Sequence, residues 1–321
     1  ERTTPEFTED SVRSTISGLL ADRSKFFGER VDGIFRALSG DHVTNCPQGF
    51  SKRMIIASVT GNDYYSTPRA GIINDLRAVI AKFMGRDEPA HNATGPVIAI
   101  ARNQHGKWIT LDGGALRIRV YMIGTAHLEV HPDIAYRLNQ VLAGMYPRAI
   151  PAEFRTKPKK AAKTFAMMAR PLPFAVVHII REMRRTRGTN DFAFGYGDKS
   201  DKVASEEAIR VLIGIGGVLN RFGGMSFDYD PQEAINEIVA SGCIPDRVSH
   251  QYFPTPEVVA RAAIALAQIG DDDTVLEPSA GQGGIVELLP APHRAVCVEI
   301  SKLHCDILRQ WPRRRTRHAC C

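Results

Sequence analysis

Apolar residues recur at helical spacing near the start of the chain. Thr8 is suited to cap a helix, and Val12, Ile16 and Leu19 follow it at intervals of three or four residues. This spacing predicts an opening helix, which continues or restarts through "RVDGIFRAL".

The stretch "STPRAGIINDLRAVIAKFMG" carries stronger helix signals. Thr67 can cap its first turn, Pro68 fits that turn because no N–H donor is needed there, and Gly85 ends it. The segment "PDIAYRLNQVLAGMYP" has the same helical period. Both stretches are predicted to be helices.

Strand-like patterns lie between those two helices. Three runs are predicted to be extended, namely "PVIAIARN", "KWITLD" and "ALRIRVYMIGTAHLEVH". Gly124 interrupts the last run as a hairpin turn does. Residues 1–150 are therefore predicted to form an α+β domain in which helices pack on an antiparallel sheet.

Residues 151–248 are predicted to be a proline-rich basic connector followed by helices. Five of the chain's 19 prolines fall between Pro147 and Pro173, which disfavours a regular helix or a central strand there. The predicted helices of this segment are "FAVVHIIREMRRTRG", "SEEAIRVLIGIGGVLNRFGG" and "DPQEAINEIVASG".

Capping residues define the last two of these helices. Ser205 is predicted to cap the second helix, and Gly242 to end the third. Glycines 214, 216 and 217 fall inside the second helix, where we interpret them as positions of close helix packing. They do not follow a strand, so a phosphate-binding loop is not predicted there.

Basic residues are concentrated in the connector. The 41 Lys and Arg residues exceed the 35 Asp and Glu residues by six, but ten of them lie between Arg155 and Arg187 with one acid, Glu182. Such local density attracts phosphate backbones, although a solvated linker and helix face would look the same. The predicted DNA-binding residues are Lys159, Lys160, Arg181, Arg184, Arg185 and Arg187.

Composition excludes several classes of protein. No apolar run approaches the roughly eighteen residues that a membrane span requires, and the start "ERTTPEFTED" is too polar for a secretion signal. The six cysteines form no C-x-x-C pair, so a zinc ribbon is not indicated. We expect a cytoplasmic protein without a membrane partner.

The most informative stretch begins at residue 250. In "HQYFPTPEVVARAAIALAQIG" Thr255 is predicted to cap an amphipathic helix that has Pro256 in its first turn. The segment "DTVLEPSAGQGGI" then predicts a strand that passes through a glycine-rich loop into a helix, and "AVCVEI" predicts the next strand.

This order of aromatic residue, Pro-Thr-Pro, helix, strand and "EPSAGQG" resembles the cofactor-binding entry of class I S-adenosylmethionine-dependent methyltransferases, particularly the DNA adenine N6 branch. The resemblance covers residues 250–305. It implies a Rossmann-like α/β module over residues 249–321 and S-adenosylmethionine as cofactor. The cofactor-binding residues that it implies are Thr255, Glu277, Ser279, Gly281, Gly283 and Glu299.

Elementary chemistry agrees with those assignments. Glycines 281 and 283 allow a tight turn and a close approach of the backbone to a ligand. Glu277 ends the first strand, where open α/β sheets bind ligands, and is expected to orient the cofactor's amino group through the loop. Glu299 lies 22 residues later, where such enzymes carry an acid that accepts hydrogen bonds from ribose hydroxyls.

Catalytic residues are not predicted. The adenine N6 branch uses a loop of Asn or Asp, Pro, Pro and an aromatic residue to polarise the target amine and stack on the flipped base. The chain contains no Pro-Pro pair. After a predicted helix over Lys302–Leu308, the tail "RQWPRRRTRHACC" lacks the alternation of a strand. We expect a truncated, catalytically incomplete module of two parallel strands that binds its cofactor weakly.

The N-terminal region resembles an uncharacterised domain found ahead of such methyltransferase modules in bacterial mobile elements. The segments that carry this resemblance are "FGERVDGIFRALSGDHVTNCPQGFSKRMI" and "GGALRIRVYMIGTAHLEVHPDIAYRLNQVL". Within it, His127, Glu129 and His131 alternate along a predicted strand and share one face. This triad permits a metal site, but we favour an ordinary solvated sheet face and predict no metal.

Three hypotheses for function follow from these patterns. The chain is a truncated relative of DNA adenine methyltransferases, or a non-catalytic protein that binds nucleic acid or blocks a bacterial defence complex such as a restriction or CRISPR system. The third is that the N-terminal domain is an enzyme of unrecognised chemistry, with His127 and Glu129 as the first suspects.

Overall fold

A computed structural model describes residues 8–60, 67–157, 167–168, 170–195, 201–245, 254–309 and 317–320. The chain divides into two compact units, Glu1–Pro171 and Leu172–Cys321. The sequence predicts three segments, with a second boundary at 248/249, whereas the second unit contains both the predicted connector helices and the predicted cofactor module.

The N-terminal unit combines five α-helices with one sheet among its described residues. Its elements are α1 Glu9–Ala21, α2 Arg23–Ser39, β1 Arg53–Ile56, α3 Pro68–Phe83, α4 Thr94–Asn103, β2 Ile109–Leu111, β3 Leu116–Val120, β4 Ala126–Val130 and α5 Pro132–Met145. The sheet order is β1-β4-β3-β2, and every neighbouring pair is antiparallel. The predicted antiparallel sheet with helices is therefore confirmed.

Local signals in the sequence account for several of these elements. The Thr67 hydroxyl accepts a hydrogen bond from the Ala70 N–H at 3.1 Å and caps α3 as predicted. Thr8 accepts from the Ser11 N–H at 3.2 Å ahead of α1. Gly124, at φ 83°, closes the hairpin between β3 and β4.

One predicted strand is wrong, because residues 96–103 belong to helix α4. Val97, Ile98 and Ala101 are buried, and this i, i+1, i+4 spacing matches one face of a helix. Pro96 is accommodated because it lies in the first turn. Strand β1 was not predicted; it is short and is defined by its pairing with β4.

A buried ion pair lies inside the N-terminal unit. Arg77 is 1 % exposed, and its Nε lies 2.8 Å from Asp112 Oδ2. Arg86 Nη1 lies 3.1 Å from the other carboxylate oxygen. Asp112 has φ 46°, and Gly113 and Gly114 follow at 66° and 84°, so a left-handed turn presents this carboxylate to both guanidinium groups.

The C-terminal unit contains two sheets among its described residues. Its elements are α6 Phe174–Glu182, β5 Arg184–Arg185, β6 Asp191–Ala193, α7 Lys202–Gly214, β7 Val218–Leu219, β8 Met225–Ser226, α8 Gln232–Ser241, α9 Glu257–Leu266, β9 Val275–Glu277, β10 Ala295–Glu299, α10 Lys302–Arg309 and β11 Arg317–Cys320. An antiparallel sheet has the order β5-β6-β8-β7, and a parallel sheet has the order β11-β10-β9.

The helices of this unit correct two predictions. Helix α7 begins at Lys202 because the Asp201 side chain, and not that of Ser205, caps it by accepting from Ala204 N at 3.0 Å. It ends at Gly214, so Gly216 lies in the turn that follows, at φ 87°. Helix α8 ends as predicted, with Gly242 in the left-handed conformation.

The parallel sheet corrects two further predictions. A third strand, β11, pairs with β10 although its sequence lacks strand alternation. The glycine loop leads only to a short 3-10 turn at Val286–Leu288, and not to the predicted α-helix. Helix α10 starts at Lys302 as predicted. No helix in the described part of the chain is long and apolar enough to cross a membrane.

Candidate functional site

The glycine loop after β9 is tightly wound. Gly281 and Gly283 are buried and have φ values of 54° and 86°, a region that side chains with a Cβ rarely adopt. The Gly283 N–H donates to the Ala280 carbonyl at 2.8 Å, and the Ala280 N–H donates to Val298 at 3.0 Å. Backbone hydrogen bonds therefore hold the loop against the carboxyl half of β10.

Glu299 fastens the loop from the neighbouring strand. It ends β10, is 8 % exposed, and accepts a hydrogen bond from the Gly281 N–H through Oε2 at 2.7 Å. Its other oxygen, Oε1, accepts from the Ser301 N–H at 2.7 Å. The predicted acid is thus at the expected strand end, but the backbone of the protein uses both of its oxygens.

The start of α10 supports this carboxylate. Ser301 is fully buried, and its hydroxyl accepts from the His304 N–H at 3.2 Å, as a helix cap does. His304 Nδ1 lies 3.9 Å from Glu299 Oε1. Neither residue is among the predicted site residues, although a serine immediately before a helix is a recognisable capping signal.

The outer side of the loop is open to solvent. Glu277 is half-buried at the end of β9 and accepts from the exposed Ser279 N–H at 3.3 Å. Gly284 is exposed, and a Cβ added there would meet no atom within 4 Å. This side of the loop therefore faces solvent.

Thr255 does not have its predicted role as a helix cap. Pro256 occupies the N-cap position of α9, and no side chain caps that helix. Thr255 is exposed and forms no hydrogen bond to the described residues. Of the six predicted cofactor residues, direct hydrogen bonds join Gly281 with Glu299 and Ser279 with Glu277.

An apolar cluster and one side-chain hydrogen bond support the loop. The cluster contains Ala280, Val286, Leu289, Ala295, Cys297 and Leu308. Gln282 Nε2 donates to the Gly214 carbonyl at 2.8 Å and links the loop to the end of α7. Burial raises the pKa of the Cys297 thiol in this cluster, and the neighbouring Glu277 carboxylate raises it further.

The predicted DNA-binding residues do not share a helix. Only Arg181 lies in α6; its side chain is 12 % exposed and lies 2.5 Å from the Glu182 carboxylate. Arg184 and Arg185 form β5 instead, because this segment pairs with β6. Arg187 lies in the turn between the two strands.

Acidic neighbours reduce the basic surface further. Arg185 Nη1 lies 3.1 Å from the Asp230 carboxylate, and its Nε donates to the Thr189 carbonyl at 2.8 Å. Arg184 and Arg187 are exposed and form no ion pair with the described residues. Lys159 and Lys160 lie outside the described residues. Of the predicted set, Arg184, Arg185 and Arg187 are exposed, and Arg184 and Arg187 are the two of these that form no ion pair with the described residues.

The alternating His127, Glu129 and His131 do not converge on a metal position. His131 lies after β4, is buried, and its Nδ1 accepts from the Asp133 N–H at 3.2 Å as the cap of α5. Glu129 is paired with Arg53 at 2.5 Å. Within the part of the chain that is described, no group of three potential ligands is placed to hold a metal ion.

One comparison with known proteins gives a match. A family model described as a domain of unknown function, DUF4942, matches residues 1–148, which is less than half of the chain. No curated protein and no solved structure matches the chain. The matched family carries no description of an activity, a substrate or a partner.

Proposed function

We propose that the chain is a DNA adenine methyltransferase-like protein that binds S-adenosylmethionine weakly in its C-terminal unit and does not itself transfer the methyl group. The supporting observation is the 2.7 Å hydrogen bond from Gly281 to Glu299. It joins the carboxyl ends of two adjacent parallel strands, which is the edge where open α/β sheets bind ligands.

The residues at this edge have chemistry that suits the cofactor. The loop backbone at Gly281 and Gly283 would approach it closely, Glu277 would orient its amino group, and Glu299 would accept hydrogen bonds from its ribose hydroxyls. When bound, S-adenosylmethionine supplies an electrophilic methyl group. The exposed Ser279 and Gly284 leave the outer side of the loop accessible.

The engagement of Glu299 explains why binding should be weak. A carboxylate has about four acceptor positions, and two of them already accept backbone N–H groups. The residue is also only 8 % exposed, so the ribose reaches it only after the loop moves. Ligand affinity falls by the fraction of molecules in the competent conformation.

Methyl transfer requires more than a cofactor site. The target amine must be polarised by the Asn or Asp, Pro, Pro, aromatic loop, and the sequence given contains no Pro-Pro pair. The chain therefore lacks the group that would activate adenine. The same absence accounts for the lack of predicted catalytic residues.

Calorimetric titration with S-adenosylmethionine tests the binding part of the proposal. We expect saturable but weak binding, which Glu299→Gln reduces because the amide presents a donor to the Gly281 N–H. Glu287→Gln makes the same change at an exposed position beyond the loop and should bind like the wild type. Equal binding by both variants, or none by the wild type, would reject the cofactor site.

Transfer is tested with labelled S-adenosylmethionine and adenine-containing duplex DNA. We expect no label in the DNA above the level without protein. Incorporation that disappears with Gly281→Val and Gly283→Val together would show that the chain is an active methyltransferase.

A second proposal is contact with duplex DNA through the exposed pair Arg184 and Arg187. Such contacts would be independent of sequence, so affinity should fall as salt is raised, with a log–log slope of about −0.9 for each phosphate engaged. Arg184→Ala with Arg187→Ala should weaken binding, whereas removal of two exposed charges of α2, Arg23→Ala with Lys25→Ala, should not. An affinity for duplex DNA that does not change with salt concentration would reject this second proposal. The predicted protein partner from a bacterial defence complex stays a prediction, because no described residue is assigned to a contact with it.

A further inference from the structure

The sheet of the N-terminal unit has two chemically different faces. Burial alternates along β3, where Leu116, Ile118 and Val120 point into the core. The intervening side chains form what we call the outer sheet face. Its members on or beside the strands are Arg53, Ile55, Trp108, Thr110, Arg117, Arg119, Tyr121, His127 and Glu129.

The strand register places these groups next to one another. Arg53 and Arg117 flank Glu129 on either side, and Arg119 is directly opposite His127. Neighbouring strands are about 4.8 Å apart, so side chains opposite each other on one face are in contact range. The outer sheet face therefore places cations and rings beside one another.

Positive charge exceeds negative charge on this surface. It carries three arginines and a single carboxylate, that of Glu129, which lies 2.5 Å from Arg53 Nη2. Arg119 forms no ion pair with the described residues, and its Nε is a buried atom without a hydrogen-bond partner there. The face thus has a surplus of cation that suits an anionic ligand.

Aromatic rings accompany the guanidinium groups. The Arg119 guanidinium carbon lies 4.5 Å from the centroid of the Trp108 ring, and that of Arg53 lies 5.8 Å from it. Tyr121 and His127 form an edge contact with centroids 4.8 Å apart. All three rings are half-buried, so part of each remains accessible.

The imidazole of His127 belongs with the neutral rings. Burial lowers its pKa, and the positive charges of Arg53, Arg119 and His42 lower it further. At neutral pH it therefore offers a flat uncharged ring. The Glu129 carboxylate accepts a hydrogen bond from the Arg53 guanidinium, so its negative charge adds little repulsion toward an anionic ligand.

We propose that the outer sheet face binds single-stranded nucleic acid, with Arg119 contacting phosphate and Trp108 and His127 stacking on bases. Cations beside rings on a partly exposed sheet face match the two parts of a nucleotide strand. Paired bases keep their faces stacked inside a duplex, so a strand with accessible bases fits this surface better. This inference does not depend on the cofactor site of the C-terminal unit.

Fluorescence anisotropy of the full chain with labelled 20-nucleotide strands tests the proposal. The probes are single-stranded DNA, single-stranded RNA and a 20-base-pair DNA duplex. We expect saturable binding to one or both single strands, at least about five-fold tighter than to the duplex at equal salt. Preference between the DNA and RNA strands identifies which nucleic acid is the ligand.

Variants locate the contact. Trp108→Ala should weaken single-strand binding about five-fold or more, since base stacking contributes about 1–3 kcal/mol per base. Trp108→Phe keeps a ring and should remain within about two-fold of the wild type. Arg119→Gln should weaken binding. It should also make the slope of log affinity against log salt shallower by an amount that corresponds to about one phosphate contact.

The chain offers a matched control. Phe222 is 82 % exposed in the other unit, and the Arg221 guanidinium lies 4.7 Å from its ring centroid. Phe222→Ala should therefore leave binding unchanged. Circular dichroism of every variant verifies folding, and Arg119→Gln tests the same surface without removal of a ring.

Several results would overturn the proposal. They are the lack of single-strand binding, equal affinity for the duplex, and wild-type affinity in both Trp108→Ala and Arg119→Gln. Equal loss in Phe222→Ala would place the contact elsewhere. Competition by polyglutamate at the same charge concentration as the oligonucleotide would show that the face binds polyanions without base stacking, and would also reject it.

Discussion

The Gly281 N–H donates to the Glu299 carboxylate at 2.7 Å across 18 residues of sequence. The acid that the resemblance assigns to a cofactor also fastens the loop that would surround that cofactor. Structure and proposed binding therefore use the same group. A change at Glu299 should therefore alter both the stability of the C-terminal unit and its affinity for the cofactor.

Glu299→Gln should destabilise the C-terminal unit by about 1–3 kcal/mol. Its amide supplies one acceptor, so either the Gly281 or the Ser301 N–H would face a donor while buried. Urea unfolding measures the loss. The exposed Glu287→Gln should change stability by less than about 0.5 kcal/mol, and similar losses in both variants would contradict the role of this carboxylate.

Two adjacent glycine positions should respond differently to alanine. Gly283 has φ 86°, so Gly283→Ala should cost about 1–2 kcal/mol of unfolding free energy. Gly284 lacks a positive φ and has open space around it, so Gly284→Ala should be neutral or slightly stabilising. Thermal unfolding compares the two; an equal cost would contradict the loop conformation.

Asp112→Asn should destabilise the N-terminal unit by about 3–5 kcal/mol. Asparagine tolerates the left-handed backbone at this position, so the change removes charge and leaves Arg77 and Arg86 buried without it. Asp75→Asn removes the partner of Arg30 at a 51 % exposed side chain and should cost at most about 1 kcal/mol. Urea unfolding followed by circular dichroism distinguishes them, and equal costs would contradict the account.

Stability of the N-terminal unit should fall as pH decreases below about 6.5. Folding lowers the pKa of His127 through burial and nearby positive charges, and lowers that of His131 through burial. Between the lowered and the ordinary pKa the unfolded chain binds more protons, so acid favours unfolding. His127→Gln should flatten this dependence between pH 7 and pH 5. His91→Gln, at an exposed position, should leave this pH dependence unchanged. A steeper dependence of unfolding free energy on pH in His127→Gln would contradict the proposed lowering of the His127 pKa.

Sequence patterns predicted those elements whose signals are local. The Thr67 cap, the Gly124 hairpin, the Gly242 helix end and the start of α10 at Lys302 all involve neighbouring residues. Capping and turn geometry depend on a few adjacent groups, so a single sequence contains enough information.

Elements that depend on distant partners were missed. Arg184 and Arg185 were predicted to be helical, but pairing with β6 makes them a strand. Residues 96–103 are rich in β-branched side chains, yet burial of one face makes them helical. The two backbone bonds of Glu299 could not be predicted, because no periodic pattern records a contact between a side chain and a distant N–H group.

We propose that S-adenosylmethionine binds weakly at the loop held by Glu299. The most direct measurement follows backbone amide resonances of the full chain by NMR during titration with S-adenosylmethionine. Saturable shifts are expected for the Gly281, Gly283 and Ser301 amides, while the amide of Gly124 in the N-terminal unit should not shift. Unshifted loop amides at millimolar cofactor, or shifts confined to other regions, would contradict it.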